Sequence, residues 1–154
     1  WQLSATPAYE IPTPALLPLQ ALATFAAATG FAIIFKTPLR IAFFAGAIAA
    51  FANVLRLHLF VDALGPALAA GASALIMGLL AALVARVTHQ SQSMVAAPAL
   101  VVLIPGGAIY RTLTTMGTTD FTEATESLLI VLLTIAMIGV GFAMSLLFTI
   151  RSWR

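Results

Sequence analysis

Long apolar stretches alternate with short clusters of charged residues along the whole chain. The five longest stretches free of Asp, Glu, Lys and Arg contain 25, 15, 23, 24 and 24 residues. An α-helix needs about 20 apolar residues to cross the hydrocarbon core of a bilayer. The second stretch is short, but Leu57, Leu59, Phe60 and Val61 extend it to Asp62. The pattern therefore predicts five transmembrane helices, over residues of about 16–35, 41–61, 64–85, 94–113 and 127–150.

The composition excludes the main alternatives to a membrane protein. Hydrophobic residues make up 62% of the chain and charged residues only 8%, whereas soluble domains carry about 25% charged residues. Disordered chains show the opposite balance, and the continuous apolar runs lack the period-two alternation of a transmembrane β-barrel. We predict an all-α membrane protein, with a single bundle of about five transmembrane helices over residues 15–154. Four prolines among the first 18 residues predict an extended extracytoplasmic segment over residues 1–14.

The basic residues predict how the bundle is oriented. Cytoplasmic loops of membrane proteins carry an excess of Lys and Arg. With five spans, five basic residues fall on one side of the membrane and two on the other; the first group is Lys36, Arg40, Arg86, Arg151 and Arg154. We therefore predict that the N-terminus lies outside and the C-terminus inside. If the fourth segment were re-entrant, four crossings would divide the basic residues about four to three, a weaker bias.

Small and polar residues recur on one face of several predicted spans. Membrane helices associate through close packing of such residues, because lipid offers no hydrophobic reason to associate. Thr134, Gly141 and Ser145 share a face of the last span, and Gly46 and Asn53 share a face of the second. We predict that these five residues lie in helix–helix contacts. The third span is rich in Ala and Gly nearly all round, which favours a central position.

Motifs for enzymatic chemistry are scarce. The chain has no cysteine and only two histidines, and it has no nucleophile elbow, P-loop or dinucleotide-binding fingerprint. The net charge of +2 is divided between two membrane faces, which gives nucleic-acid binding no support. We expect no enzymatic activity, no metal and no cofactor.

Arg56 is the first candidate for a substrate contact. It stands five residues before the apparent end of the second span, and an Arg at a helix centre costs about 2.5–3.5 kcal/mol on insertion scales. Five helical residues extend about 7.5 Å, a distance that a snorkelling side chain can nearly cover. Arg56 is therefore either a snorkelling or structurally paired residue or a contact for substrate.

Pro105-Gly106-Gly107 lies inside the fourth span and predicts a broken helix. Proline removes a backbone donor, and two glycines make continuation of the helix costly. Broken helices recur at transporter binding sites, where the N-terminus of a half-helix attracts anionic groups. Tyr110 lies a turn later. We treat Arg56, Pro105, Gly106, Gly107 and Tyr110 as a candidate substrate-binding set, with a simple packing kink as the alternative.

Three elements in order resemble the ThrE-type threonine/serine exporter family. The segment 30–40, GFAIIFKTPLR, resembles the exit of that family's first helix, and Arg56 follows sixteen residues after Arg40. Pro105, Gly106 and Tyr110 match the family's Pro-Gly-x-x-x-Tyr element. The resemblance covers residues of about 20–150. Within the family, the chain looks most like the small membrane subunit that pairs with a second membrane subunit in succinate exporters. It implies roles for Arg56 and Tyr110 in binding substrate.

Two functions remain open from the sequence. The first is the membrane half of a secondary exporter in an inner (cytoplasmic) membrane, which moves small carboxylates or hydroxy amino acids together with a partner half. The second is a non-transporting accessory subunit that packs in a larger membrane complex. Both predict a lipid bilayer and a protein partner. They differ in what co-purifies, since a second subunit of similar hydropathy favours the exporter.

Overall fold

The structure is a computed structural model that describes residues 17–116 and 121–151, all of which lie in helices or in short connections between them. Seven α-helices and one π-helical segment follow one another in the chain. They are α1 (Leu17–Ile34), α2 (Leu39–Leu55), the π segment (Arg56–Phe60), α3 (Val61–Leu64), α4 (Pro66–Thr88), α5 (Gln92–Val101), α6 (Gly106–Met116) and α7 (Phe121–Arg151). The predicted all-α fold is confirmed. The segment predicted over residues 1–14 lies outside the described residues.

A tight turn joins α1 to α2. Lys36 adopts a left-handed conformation with φ of 57°, and the amides of Lys36 and Thr37 bond to the carbonyls of Ile33 and Ala32. This is the hydrogen-bond pattern of a Schellman motif, which satisfies the last carbonyls of a helix. Pro38 follows and cannot continue α1, so the chain reverses and α2 packs against α1.

The second apolar span is a single long helix with one irregular turn. Helix α2, the π segment and α3 run without a gap from Leu39 to Leu64. Gly65, with φ of 77°, ends this helix, and Pro66 occupies the first turn of α4. Proline suits that position because the first amides of a helix have no partner within it.

Helices α4 and α7 run parallel to each other. Gly71 lies against Met137, and Gly78, seven residues later on α4, lies against Ser145, eight residues later on α7. Since both helices point the same way, the chain must return across the membrane between them. The bent pair α5–α6 connects them and is the candidate for that span. With the four helices that are long and apolar enough to span by themselves, this gives up to five candidate spans.

The fourth predicted span consists of two helices. Helix α5 ends at Val101, α6 begins at Gly106, and their axes differ in direction by 48°. The turn between them is held by short-range bonds, from Leu103 to the carbonyl of Leu100 and from Gly106 to that of Ile104. At the start of α5, the side-chain Nε2 of Gln92 donates to the Gly78 carbonyl and to Ser145 Oγ, which ties α5 to the α4–α7 pair.

Candidate functional site

A cavity of about 560 Å³ lies where the π segment meets the break between α5 and α6. It is lined by Arg56, Leu57, Val61, Pro66, Ile104, Pro105, Gly106, Gly107 and Ala108. Four of the five residues that the sequence selected as a substrate-binding set thus line one space. Arg56 lies 49 residues before Pro105 in the sequence, so their meeting depends on how the second and fourth predicted spans pack.

Arg56 is positioned by a change in helix geometry. It is the first residue of the π segment, which holds Arg56–Phe60 between the α-helical stretches α2 and α3. Single π turns inside α-helices are rare and often lie at functional sites. Arg56 is half-buried, and it is the one charged residue among those that line the cavity.

The opposite wall of the cavity is the N-terminus of α6. Pro105 precedes the helix, and the amide of Gly106 bonds to the carbonyl of Ile104. The amides of Gly107 and Ala108 also belong to the first turn, where a helix offers no carbonyl four residues earlier. The first turn of a helix also carries a partial positive charge, which favours anions.

Packing within the chain does not require glycine at position 106 or 107. A Cβ atom at Gly106 or at Gly107 would meet no atom within 4 Å, and neither residue has a positive φ. The backbone of this turn is therefore open on the side where a side chain would project. A small ligand could approach the amides closely because no side chain covers them.

A chain of hydrogen bonds connects Arg56 to α1. Its Nε donates to Asn53 Oδ1 at 3.1 Å, and Asn53 Nδ2 donates to Thr24 Oγ1 at 3.0 Å. The Thr24 hydroxyl in turn donates to the carbonyl of Gln20 at 2.8 Å. Asn53 and Thr24 are 7% and 6% exposed. The Arg56 guanidinium is thereby held by α1 as well as by its own helix.

His58 belongs to the same polar group. Its Nε2 lies 3.2 Å from Oε1 of Gln20, which accepts a hydrogen bond when that ring nitrogen carries the proton. Gln20 thus touches the network twice, through its carbonyl and through its side chain. This contact ties the π segment to the first turn of α1.

Tyr110 does not line the cavity. Its side chain is 69% exposed, and beyond the first turn α6 packs against α7 and not against α2. The proposed role of Tyr110 in binding substrate therefore stays a prediction.

The five residues predicted to lie in helix contacts are all buried. Gly46 faces the hydroxyl of Thr29 and the ring of Phe25 on α1. Gly141 faces the carbonyl of Gly71 on α4. Thr134 and Ser145 are 3% and 0% exposed, and Asn53 both packs and bonds, as described above.

Sequence reasoning did not assign Thr24, Gln20 or His58 to the site. The signal for Asn53 was available, because a residue three positions before Arg56 shares its helix face. The partners on α1 had no such signal, since 29 residues separate Thr24 from Asn53. Among the described residues no group of three or more His, Asp or Glu side chains could hold a metal ion.

Comparison with known proteins bears on this arrangement. No curated protein and no solved structure matches the chain significantly. A family model described as threonine/serine exporter, ThrE, matches residues 20–148, which include most of α1 and α7, every helix between them and the whole cavity. Four to five helices that are long and apolar enough to span a membrane, together with this match, identify a membrane transport protein, and the chain belongs to the ThrE threonine/serine exporter family.

Proposed function

We propose that the chain is the membrane half of a secondary exporter for small carboxylates or hydroxy amino acids, in the threonine/serine or succinate class. It works with a partner half in an inner (cytoplasmic) membrane, with its N-terminus outside. A transmembrane ion or proton gradient drives it, because the sequence has no ATP-binding motif.

The cavity at the helix break is the observation that carries the proposal. Its guanidinium and its helix N-terminus both favour a negative charge, and a carboxylate is the group that these substrates share. The remaining lining is apolar and is suited to the rest of a small molecule. Arg56 supplies the counter-charge, and the first-turn amides of Gly107 and Ala108 donate hydrogen bonds.

The position of the cavity suits release to the outside. It lies beside Pro66 and Val61, close to the turn at Gly65 that the predicted orientation places at the outer face. A single Arg with backbone amides holds a carboxylate without enclosing it, so the substrate can leave. The partner half would complete the path from the inner face.

The test is export of labelled threonine, serine and succinate from vesicles that contain the chain and its partner half. Arg56→Gln removes the charge, and we expect export at low substrate concentration to fall about 10-fold or more, as charged hydrogen bonds are worth about 1.5–3 kcal/mol. Gly106→Val places a branched side chain in the open space of the cavity and should also abolish export.

Gly139→Val is the matched control for the glycine variant. Gly139 lies on α7, and a Cβ there meets no atom within 4 Å, but Gly139 does not line the cavity. We expect normal export from it at matched expression. If Arg56→Gln and Gly106→Val both export normally, the break is a packing kink and the accessory-subunit function is favoured.

A further inference from the structure

Two cavities lie in line along the lipid-facing side of the α4–α7 contact. One, of about 270 Å³, is lined by Leu64, Leu68, Gly71, Ala72, Leu75, Met137, Val140, Gly141 and Met144. The other, of about 190 Å³, is lined by Leu79, Ala82, Leu83, Arg86, Phe148 and Thr149. The α4 residues in both recur every three or four positions, so they share one helix face. We call the two together the α4–α7 groove.

The groove is apolar along its length and cationic at one end. Arg86 is the one charged residue that lines it, and Arg86 is exposed. Arg151 ends α7 two residues after Thr149, so a second basic residue belongs to the same end of the helix pair. The predicted orientation places this end at the cytoplasmic leaflet.

We propose that the α4–α7 groove binds a phospholipid with an anionic headgroup. The acyl chain lies against Leu79, Leu83 and Phe148, and the phosphate lies on the guanidinium of Arg86. A guanidinium has five donors in a planar fork that matches phosphate. Thr149, which lines the same end of the groove, donates its hydroxyl to the carbonyl of Ser145 at 2.8 Å.

The shape and charge of the groove select this occupant. An acyl chain is narrow and flexible, so it can lie along cavities of about 190 and 270 Å³. A free phosphate would gain nothing from the apolar floor. Basic pockets between transmembrane helices on the cytoplasmic side are typical sites for anionic headgroups.

The site is separate from the cavity at the helix break, because the two share no lining residue. The proposal therefore does not depend on the transported substrate. A lipid bound in the groove would make the stability of the α4–α7 contact depend on lipid composition. Failure of the transport test would leave it unaffected.

The experiment measures lipid binding to the full chain in detergent by native mass spectrometry and by thermal stability. The probes are dioleoyl phosphatidylglycerol and dioleoyl phosphatidylcholine, which have the same acyl chains. We expect phosphatidylglycerol to bind about fivefold more tightly, as a basic residue near an anionic lipid surface contributes about that factor. Arg86→Gln should abolish the preference.

Arg40→Gln is the matched control. Arg40 is exposed on the first turn of α2, on the same predicted side, and it does not line the groove. We expect it to keep the preference. Leu83→Trp fills the groove at an exposed position and should weaken the binding of both lipids, and glycerol 3-phosphate should not compete.

Three results would overturn the proposal. They are equal affinity of the wild-type chain for the two lipids, an unchanged preference in Arg86→Gln, and competition by glycerol 3-phosphate at the concentrations where the lipid binds. The wild-type comparison decides the matter even if the Arg86 variant fails to fold.

Discussion

Oδ1 of Asn53 accepts a 3.1 Å hydrogen bond from Nε of Arg56, three residues further along the same helix. The other end of the Asn53 amide donates to Thr24 on α1. One nearly buried side chain therefore links the helix that lines the cavity to its neighbour. Asn53 positions Arg56 and does not line the cavity itself.

The bonds of Asn53 predict how substitutions at Thr24 and Asn53 change the stability of the protein. Thr24→Val removes the acceptor for Asn53 Nδ2, and hydrogen bonds between membrane helices are worth about 0.6 kcal/mol on average and at most about 1.7. Asn53→Leu removes both bonds and leaves Arg56 without this partner, so we expect a larger loss of about 1–3 kcal/mol. Thermal unfolding in detergent measures both.

The control for Thr24→Val is Thr88→Val. The Thr88 hydroxyl donates to the carbonyl of Val84 within its own helix, so its loss should have little effect on packing between helices. Equal losses of stability in the two threonine variants would show that the contact between α1 and α2 does not depend on the Asn53 bond.

A glycine pair on α7 tests the α4–α7 contact. A Cβ at Gly141 would collide with the carbonyl oxygen of Gly71, whereas one at Gly139 meets no atom within 4 Å. Gly141→Ala should destabilise the protein by about 1–3 kcal/mol through overpacking. Gly139→Ala should stabilise it by about 0.5–1 kcal/mol, because alanine loses less conformational freedom in a helix.

The measurement is the free energy of unfolding in detergent for the two alanine variants. Opposite signs are the expected result. A change of the same sign and size at both positions would mean that Gly141 does not lie in a close helix contact.

The predicted five-span arrangement determines which positions should lie on the same side of the membrane. The chain has no cysteine, so single cysteines can be placed at Lys36, Ala63, Gln90 and Glu126, all of which are exposed. We expect Lys36→Cys and Gln90→Cys to react with an impermeant maleimide from the cytoplasmic side. Ala63→Cys and Glu126→Cys should react from outside.

Right-side-out and inside-out vesicles provide the comparison. Labelling of Gln90→Cys and Glu126→Cys from the same side would mean that α5 and α6 do not cross the membrane. Labelling of all four sites from the opposite side to that expected would reverse the orientation and leave the number of crossings unchanged.

The sequence by itself determined the all-α class of fold and the presence of several apolar helices long enough to span a membrane. Apolar length decides what crosses a bilayer, because unsatisfied backbone groups are too costly in lipid for any other arrangement. The helices begin and end close to the predicted limits, since Pro38, Gly65 and Pro105 act locally. The resemblance at Arg56 and Pro105 likewise needed no coordinates.

Only the tertiary structure decided which of these features meet. The sequence placed Arg56 and Gly106 in one candidate set without showing that they touch one space, and their shared cavity follows from the packing of two helices. Of that set, only Tyr110 does not line the cavity. Thr24 and Asn53, 29 residues apart, meet because α1 and α2 pack through small residues. Helix formation in a membrane is governed by local hydrogen bonding and apolar length, whereas association depends on close contacts between distant residues, which a single sequence does not specify.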